Sequence, residues 1–398
     1  MGNGAVVTGQ GTPALVIGGG ITVLGAVRAL GRAGVDAYAA CPPGDHARRS
    51  RWYRALALAP WDGRGGSPDP ALLEALPFER AVLIPCSDQT ALWVAGLDLQ
   101  LRRRFPSSTP TREVFDRLVD KARFADLLDR AEVPHPFTRR LTSQADLTDL
   151  ESRRGQVIFL KPVESQAFFR RFGVKAFHVR DRGEAESRWH EARAAGLDLV
   201  LQEYIPGPAT AHVFIDGFRD RTGVVRAWFP RRRLRMFPPD FGNSSAMVSL
   251  PIADARPAVD DLSRLLEHLE YRGVFSAEFK WDERDGRFKL LEVNARAWWY
   301  VEYAAWCGVN VLRLAWLDAL EQPVPDVTHY RVGKRCVYPS YDSAARRAMP
   351  PGSRPGLLDL YRSWIGARQP VFQLTDPLPG VMDLVSRMGA AVGRRVRG

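Results

Sequence analysis

Residues 274–296 read VFSAEFKWDERDGRFKLLEVNAR, and this stretch decides the predicted fold. Apolar and polar residues alternate along both of its halves, which is typical of two half-buried strands joined by a turn. On one face the first strand carries Glu278 and the second carries Glu292 and Asn294. The pattern predicts a β-hairpin with two carboxylates on that face. The opposite face is predicted to join the core and consists of Phe275, Ala277, Phe279, Trp281, Leu291 and Val293.

The register of this hairpin depends on its turn. If Arg284, Asp285 and Gly286 form a three-residue loop with the glycine in the left-handed conformation, Glu278 faces Glu292. A two-residue turn would shift the register by one and place the two glutamates on opposite faces. We favour the longer loop. Two carboxylates opposed in this way destabilise a hairpin unless a positive charge lies between them.

A divalent cation would supply that positive charge. Mg²⁺ takes oxygen ligands in proteins, one or two carboxylates together with substrate phosphates. The sequence thus predicts a magnesium site formed by Glu278, Glu292 and Asn294, with Arg296 extending the same face. The alternative is an edge hairpin whose charged side chains are simply solvated.

Length and composition fit a globular protein of two or three domains, because the 398 residues are 45% hydrophobic and 25% charged. The longest uncharged apolar run, residues 14–27, is too short to span a bilayer, and no charged leader precedes it. The four cysteines lie far apart without a CxxC pair. We therefore expect a reducing, cytoplasmic location.

The formal net charge of +11 raises the question of an anionic partner. The basic residues are almost all arginines and are scattered along the whole chain, which indicates a compositional bias rather than a binding stripe. We expect neither a nucleic acid nor a membrane as a partner. The chain has only six lysines, and three of them, Lys121, Lys161 and Lys280, occupy positions of chemical interest.

The N-terminal part has the pattern of an open α/β domain. Residues 1–13 are predicted to be a disordered tail, residues 14–17 a buried strand and residues 22–33 a helix, with three glycines at the turn between strand and helix. A dinucleotide site would need a further glycine where Val23 stands, so NAD and FAD are not expected.

A second strand, residues 81–84, is followed by Ser87 and Asp88. Ligands of open parallel sheets gather at the carboxyl ends of the strands, so both residues are candidate substrate contacts. Capping of the next helix by Ser87 or Asp88 is an alternative that does not exclude this role.

Two lysines lie where the predicted secondary structure could direct them toward a ligand. A helix is predicted over residues 112–130, with Lys121 directly after Asp120. A buried strand at residues 157–160 leads into Lys161 and then a proline. A lysine at the end of an apolar strand is well placed to contact a ligand anion.

Two further segments complete the pattern. An apolar strand at residues 199–205 ends in a Pro-Gly break, and a strand at residues 224–229 is followed by a basic run that includes Arg233 and Arg235. Those two arginines are predicted to lie on one face, where they could hold a carboxylate or an acyl phosphate.

Taken in order, these motifs resemble those of the ATP-grasp ligases. The basic run and the Pro-Asp-Phe-Gly turn after it are similar to the D-aspartate-ligase-like branch. The motifs are Asp-Lys at residues 120–121, Lys-Pro at 161–162, Gln-Glu at 202–203, Glu278, and Glu-x-Asn-x-Arg at 292–296.

The resemblance implies an α/β and α+β chain, an ATP-grasp fold preceded by an open parallel α/β domain. We expect that first domain at residues 14–111 and an ATP-grasp domain at 112–330. The latter would divide into a lid lobe at 112–205 and a metal-binding lobe at 206–330. Residues 331–398 would form a C-terminal extension.

The resemblance also implies roles for individual residues. Lys161 and Arg296 would be catalytic, and the substrate contacts would be Ser87, Asp88, Arg233 and Arg235. A glycine-rich phosphate loop is missing after Lys161, which leaves Ser165 and Gln166 as its replacement. The predicted nucleotide contacts are Lys121, Lys161, Ser165, Gln166, Gln202, Glu203, Tyr204 and Ile205, and the ribose contacts stay unassigned.

The implied activity is ATP-dependent ligation of a carboxylate to an amine through an acyl phosphate, with release of ADP and phosphate. The expected cofactors are ATP and Mg²⁺, and the partners are a small carboxylate and an amine, with a homodimer left open. The alternatives are a bicarbonate-using carboxylase of the same fold, a non-catalytic nucleotide-binding protein, and a nucleic-acid binder. A nucleic-acid binder would need clustered basic residues, and this chain has such a cluster only near Arg231.

Overall fold

The computed structural model describes residues 11–56, 69–148, 158–163, 165–239 and 242–396. Most of the predicted N-terminal tail and the middle of the Pro-Asp-Phe-Gly turn lie outside these ranges. So do the side chains of Ser165 and Gln166, so their predicted phosphate contacts stay predictions. At the end of the predicted tail, the carbonyls of Thr12 and Pro13 accept hydrogen bonds from Trp316 and Val82.

The N-terminal part is a parallel sheet with the strand order β3-β2-β1-β4. Every residue of β1 is buried, as expected for a central strand covered on both faces. The strands are β1 (Ala14–Ile17), β2 (Ala37–Ala40), β3 (Arg54–Ala55) and β4 (Val82–Pro85), and the helices are α1 (Gly20–Arg32), α2 (Ala71–Glu74), α3 (Asp88–Ala95) and α4 (Leu99–Arg104).

A second, antiparallel sheet follows, with the order β5-β8-β6-β7. It encloses a separate apolar core around Leu160, Phe168 and Trp189. Its elements are α5 (Arg112–Val119), α6 (Lys121–Arg130), β5 (Thr138–Arg140), β6 (Ile158–Pro162), α7 (Ser165–Phe172), β7 (Phe177–Val179), α8 (Arg182–Ala194) and β8 (Leu199–Glu203).

The prediction of one helix over residues 112–130 is wrong, because the helix breaks at Asp120. The Asp120 carboxylate accepts hydrogen bonds from the backbone N–H groups of Ala122 and Arg123 and so caps a new helix. Lys121 is therefore the first residue of α6.

The largest sheet has six antiparallel strands in the order β13-β12-β9-β10-β11-β14. Phe275 and Phe279 on β12 pack against Leu262 and its neighbours on α9. The strands are β9 (His212–Arg219), β10 (Val225–Phe237), β11 (Asn243–Ser249), β12 (Gly273–Asp282), β13 (Arg287–Asn294) and β14 (Arg335–Val337). The helices are α9 (Arg256–His268), α10 (Val301–Cys307), α11 (Val311–Ala319), α12 (Pro339–Ala348), α13 (Leu357–Trp364) and α14 (Leu378–Val396).

The strand predicted at residues 224–229 continues to Phe237 as β10, so the basic run lies within a strand rather than after one. Arg231 and Arg233 are buried there. A strand can bury such side chains because neighbouring strands supply oxygen partners, and a local hydropathy pattern does not reveal those partners.

The hairpin of β12 and β13 opposes Glu278 and Glu292, as predicted. The predicted three-residue loop is wrong, because Asp282 pairs with Arg287 and four residues lie between them. The N–H of Gly286, whose φ is 66°, donates to the carbonyl of Asp282.

A β-bulge compensates for the change in strand register that this longer loop introduces. Phe279 pairs with Leu290 while Glu278 pairs with Glu292, so Leu291 has no residue opposite it. The prediction that Leu291 belongs to the core is therefore wrong, and Leu290 takes that place beside Val293. An extra residue in one strand moves the following side chains to the other face.

The C-terminal segment is tied to the first domain by a buried ion pair. Arg28 on α1 is fully buried, and its Nε donates to Oδ2 of Asp376 over 2.8 Å. The same guanidinium also donates to the carbonyls of Pro370 and Val371. Within the described part of the chain, the helices are all too short or too polar to cross a membrane.

We predict that Arg28→Met lowers the free energy of unfolding by about 3 kcal/mol, because it leaves the Asp376 carboxylate buried without its cation. Urea unfolding followed by tryptophan fluorescence measures this. The matched control is Arg54→Met, which removes an ion pair between exposed side chains, Arg54 and Asp36, and is expected to cost less than about 1 kcal/mol. Equal losses in the two variants would contradict the structural role of the buried pair.

Candidate functional site

The site is organised around the opposed glutamates, which project from adjacent strands. Glu278 lies opposite Phe214 of β9, and Lys280 lies opposite His212. Residues two apart on a strand share a face, so Glu278, Lys280 and His212 point to the same side of the sheet.

Glu278 is neutralised by the protein, which corrects the expectation that the hairpin carboxylates lack such partners. Nδ1 of His212 lies 2.7 Å from Oε1 of Glu278, and Nη1 of Arg233 lies 3.1 Å from the same oxygen. Burial alone would raise the pKa of Glu278, but the charge of Arg233 and the hydrogen bond from His212 outweigh it and hold that pKa at about 2. Glu278 is therefore a carboxylate at any physiological pH.

Glu292 shows the opposite behaviour although it faces Glu278. The surrounding protein desolvates its carboxylate in part, and the charge of Glu278 adds to this effect, so the pKa of Glu292 is raised. The side chain itself is solvent-accessible at the cleft. Nδ2 of Asn294 donates to Oε1 of Glu292 over 3.0 Å. Glu292 is thus the carboxylate for which an added cation would have the larger effect.

Arg296 joins the end of the hairpin to the first domain. Its Nε lies 2.8 Å from Oδ1 of Asp88 and its Nη2 lies 3.1 Å from Oδ2, which is a bidentate contact. Nη2 also donates to Oδ1 of Asn294 over 3.0 Å. The structure therefore brings the predicted substrate contact Asp88 next to two predicted members of the metal and catalytic set.

Ser87 caps helix α3. Its Oγ accepts a hydrogen bond from the N–H of Thr90, and the Thr90 hydroxyl oxygen accepts one from the N–H of Ser87. This is the capping alternative that the sequence allowed, and the substrate roles of Ser87 and Asp88 stay predictions.

Three of the six lysines converge on the two glutamates. Burial and, to a smaller extent, the nearby charge of Lys121 lower the pKa of Lys161 to about 8, although Glu292 and Glu278 oppose the shift. Burial also lowers the pKa of Lys121, whose Nζ donates to the carbonyl of Pro162 over 2.8 Å. Such mutual effects arise only between charges that lie near one another.

Lys280 is the third of these lysines and was not assigned a role from the sequence. Its charge acts on Lys161, and its ammonium lies 4.5 Å from the centre of the Tyr204 ring. The scarcity of lysine in the chain was the one signal that pointed to it. His212 was missed altogether, because an isolated histidine on a strand carries no such signal.

The predicted nucleotide contacts at the end of β8 already have partners within the protein. Nε2 of Gln202 donates to Thr138 over 2.9 Å. Glu203 forms an ion pair with Arg284 of the hairpin loop, 2.7 Å long, and accepts a hydrogen bond from the N–H of Phe137. The Glu203–Arg284 pair therefore links the two antiparallel sheets at this point. Tyr204 and the buried Ile205 follow Glu203 directly.

The structure separates the two arginines that were predicted to share a face. A β-bulge between Arg233 and Arg235 breaks the alternation along β10. Arg233 faces Glu278, whereas Nε and Nη2 of Arg235 each lie 2.7 Å from the carboxylate of Asp342 on α12. The substrate role of Arg235 stays a prediction, but its guanidinium is already held by a buried carboxylate.

A second buried ion pair lies near Glu278 and was not predicted from the sequence. Nε of Arg231 lies 2.6 Å from Oδ2 of Asp216, and Ser276 donates to the other oxygen of this carboxylate over 2.7 Å. The Arg231 guanidinium lies 4.0 Å from the centre of the Phe214 ring. The Arg233 guanidinium lies 4.9 Å from the centre of the same ring.

The oxygen ligands at the site fit a hard divalent cation such as Mg²⁺. Among the described residues there is no group of three acidic, histidine or cysteine side chains of the kind that would enclose a metal by itself. Two carboxylates and one amide suit a cation that completes its shell with phosphate oxygens and water. The Asn294 amide would have to turn over for its oxygen, which faces Arg296, to join Glu292.

The chain is similar to known proteins in sequence and in fold. No protein-family model matches the sequence. The D-aspartate ligase of Enterococcus faecium (strain Aus0004) is 23% identical over 260 residues, which cover 63% of this chain and 62% of that protein. The chain thus matches less than two thirds of that relative's length.

Two solved structures share the architecture. The biotin carboxylase domain of 2-oxoglutarate carboxylase from Hydrogenobacter thermophilus, solved with MgADP, ADP and bicarbonate, has a TM-score of 0.62 at 17% identity, over 81% of this chain and 73% of that chain. An L-amino acid ligase from Bacillus licheniformis has a TM-score of 0.58 at 16% identity, over 78% and 74%. The chain has the ATP-grasp fold. Both this fold and the likeness to D-aspartate ligase are confirmed.

We predict opposite stability effects for the two glutamates in the absence of nucleotide and metal. Glu278→Gln is expected to lower the free energy of unfolding by about 3 kcal/mol, because it leaves the Arg233 guanidinium buried without a counter-ion. Glu292→Gln is expected to raise it by up to about 1 kcal/mol, because the repulsion is relieved. Urea unfolding in EDTA at pH 7 measures both.

The pH dependence provides the control. The pKa of Glu278 is lowered on folding, so its contribution is present above its ordinary pKa and is lost as the pH falls toward about 2. The loss in Glu278→Gln should therefore shrink under acid conditions. The gain in Glu292→Gln should shrink too, because a group with a raised pKa is protonated in both states there. Equal effects of the same sign in both variants would contradict this assignment.

Proposed function

We propose that this ATP-grasp protein is an ATP-dependent carboxylate-amine ligase. The observation that carries the proposal is the convergence of three lysines on two opposed carboxylates whose pKa values are shifted in opposite directions. Phosphoryl transfer needs positioning and charge neutralisation rather than a covalent side chain, and this set of charges offers both. Perturbed pKa values of this kind are typical of functional sites.

The nucleotide would bind between the two antiparallel sheets, where Glu203 and Arg284 link them. Lys161 leaves the end of β6, and Lys121 is held against the carbonyl of Pro162 just beyond it. Both ammonium groups would contact the phosphates, and the backbone at Tyr204 would receive the adenine. Glu278, Glu292 and Asn294 would hold Mg²⁺, which supplies charge neutralisation for the phosphates when it is bound.

The reaction would proceed in two displacements. A carboxylate oxygen of the acid substrate attacks the γ-phosphorus of ATP, and ADP leaves. The amine nitrogen then attacks the acyl carbon, phosphate leaves, and the nitrogen gives up a proton. Arg296, which Asp88 and Asn294 hold at the end of the hairpin, would neutralise the transferring phosphoryl group. Asp88, half exposed beside it, would contact the substrate.

A bicarbonate-using carboxylase is the second candidate, because one of the similar structures was solved with bicarbonate. In that case bicarbonate takes the place of the acid substrate in the same site.

The four cysteines are free and buried, and we propose a cytoplasmic location for the protein. A homodimer remains a prediction.

We predict that Lys161→Met weakens MgATP binding at least tenfold, because it removes a cation from the phosphates while keeping the bulk of the side chain. The measurement is the rise in melting temperature as MgATP is added. Lys334→Met, at an exposed position on the edge of the large sheet, is the matched control and should respond as the wild type does. Normal binding by Lys161→Met would exclude the phosphate contact.

The affinity for MgATP should also depend on pH. Because the pKa of Lys161 is about 8, the ammonium is lost as the pH rises through that value, and ATP binding should weaken there. Lys161→Arg keeps its charge and should remove this step from the pH profile. A wild-type profile that stays flat up to pH 9 would contradict the assignment.

The function itself is tested by ADP release. Amino acids and small carboxylates are supplied singly and in pairs with MgATP. A ligase is expected to release ADP in proportion to a new amide only when the correct acid and amine are both present. Release that depends on bicarbonate, without a second acid, would identify the carboxylase instead. If MgATP raises the melting temperature but no mixture releases ADP, the protein only binds nucleotide.

A further inference from the structure

Exposed apolar side chains are concentrated in the C-terminal extension. Of the sixteen large hydrophobic residues that are exposed in the described part of the chain, ten lie between residues 357 and 385. Scattered exposed apolar residues are normal, but such a concentration marks a surface that binds something.

Helix α14 carries one stripe of this surface. Leu378, Val381 and Val385 are exposed at the spacing of a single helix face, and Leu384 is exposed beside them. The inner face of the helix is anchored, because Asp383 lies 3.5 Å from His46 and accepts a hydrogen bond from the hydroxyl of Tyr338. The apolar stripe therefore points away from the protein on a helix that is held in place.

A second stripe lies on α13 and in the loop that follows. Leu357, Tyr361 and Ile365 are exposed at intervals of four residues, with Ile365 78% exposed just beyond the end of the helix. Leu374, in the loop before α14, is 89% exposed. Nearly bare aliphatic side chains at the ends of helices and loops can enter an apolar phase without moving the rest of the fold.

The sequence of α14 combines its apolar stripe with positive charge. Residues 378–398 contain four arginines and one aspartate, and three of the arginines, Arg394, Arg395 and Arg397, come at the very end. In the sequence alone, the same spacing of apolar residues continues at Met388 and Val392. Amphipathic helices with this combination lie in the interface of anionic membranes.

We propose that the surface formed by α13, α14 and the loop between them docks on an anionic membrane, with α14 lying in the plane of the lipid headgroups. The apolar stripes would enter the acyl boundary, and the terminal arginines would contact the anionic headgroups. A second copy of the chain fits less well, because each chain has a formal charge of +11 and the basic ends add to the repulsion. This proposal departs from the expectation of no membrane partner, which rested on the even distribution of arginine along the chain.

Co-sedimentation of the full chain with vesicles tests the proposal. We expect binding to vesicles of equal parts phosphatidylcholine and phosphatidylglycerol, and little binding to phosphatidylcholine alone. Replacing Arg394, Arg395 and Arg397 together with Gln should weaken binding roughly 100-fold, about fivefold for each arginine. High salt should weaken it as well, because it screens the headgroup charge.

The apolar contribution is tested with Leu384→Asp combined with Val385→Asp, which should abolish binding to the mixed vesicles. Val224→Asp is the matched control, because Val224 is a similarly exposed valine directly before β10 and its replacement should leave vesicle binding unchanged. All variants should keep the wild-type melting temperature and its response to MgATP.

Two results would overturn the proposal. One is a wild-type chain that does not sediment with the mixed vesicles at low salt. The other is a dimer in light scattering that dissociates in the Leu384→Asp, Val385→Asp variant while vesicle binding stays the same, because a second copy would then cover this surface.

Discussion

The contact of Glu278 with Arg233 and His212 is the interaction on which the rest of the site depends. Two carboxylates on opposed strands could not both stay charged without compensation, and β9 and β10 compensate one of them from within the protein. Glu278 becomes a permanent anion, while the pKa of Glu292 rises. The chain thus folds with the pair in place, and the remaining electrostatic cost concentrates at Glu292, where a cation can relieve it.

Local patterns in the sequence were enough to predict part of the candidate site. The opposed glutamates followed from alternation along two strands, and the lysine at the end of β6 followed from an apolar run that stops at Lys161. The register was correct although the loop length was not, because the bulge at Leu291 compensates for the fourth loop residue. Periodicity reports which side chains share a face over a few residues, but a bulge has no signature in hydropathy.

The contacts that could not be predicted are long-range ion pairs. His212 is 66 residues from Glu278, and Arg235 is 107 residues from Asp342. In a chain with so many arginines, a buried arginine and a solvated one look alike in sequence. Arg235 was therefore interpreted as a substrate contact, while its carboxylate partner, Asp342, lies in the predicted C-terminal extension.

The C-terminal segment connects these observations. Asp342 holds Arg235 from the large sheet, and Asp376 holds Arg28 from the first domain, so the segment is fixed to both parts by buried charges. Its inner face is thus held by side chains of both parts, while the apolar residues of its outer face stay exposed. An apolar surface held in this way would fix the orientation of the candidate site toward whatever the surface binds.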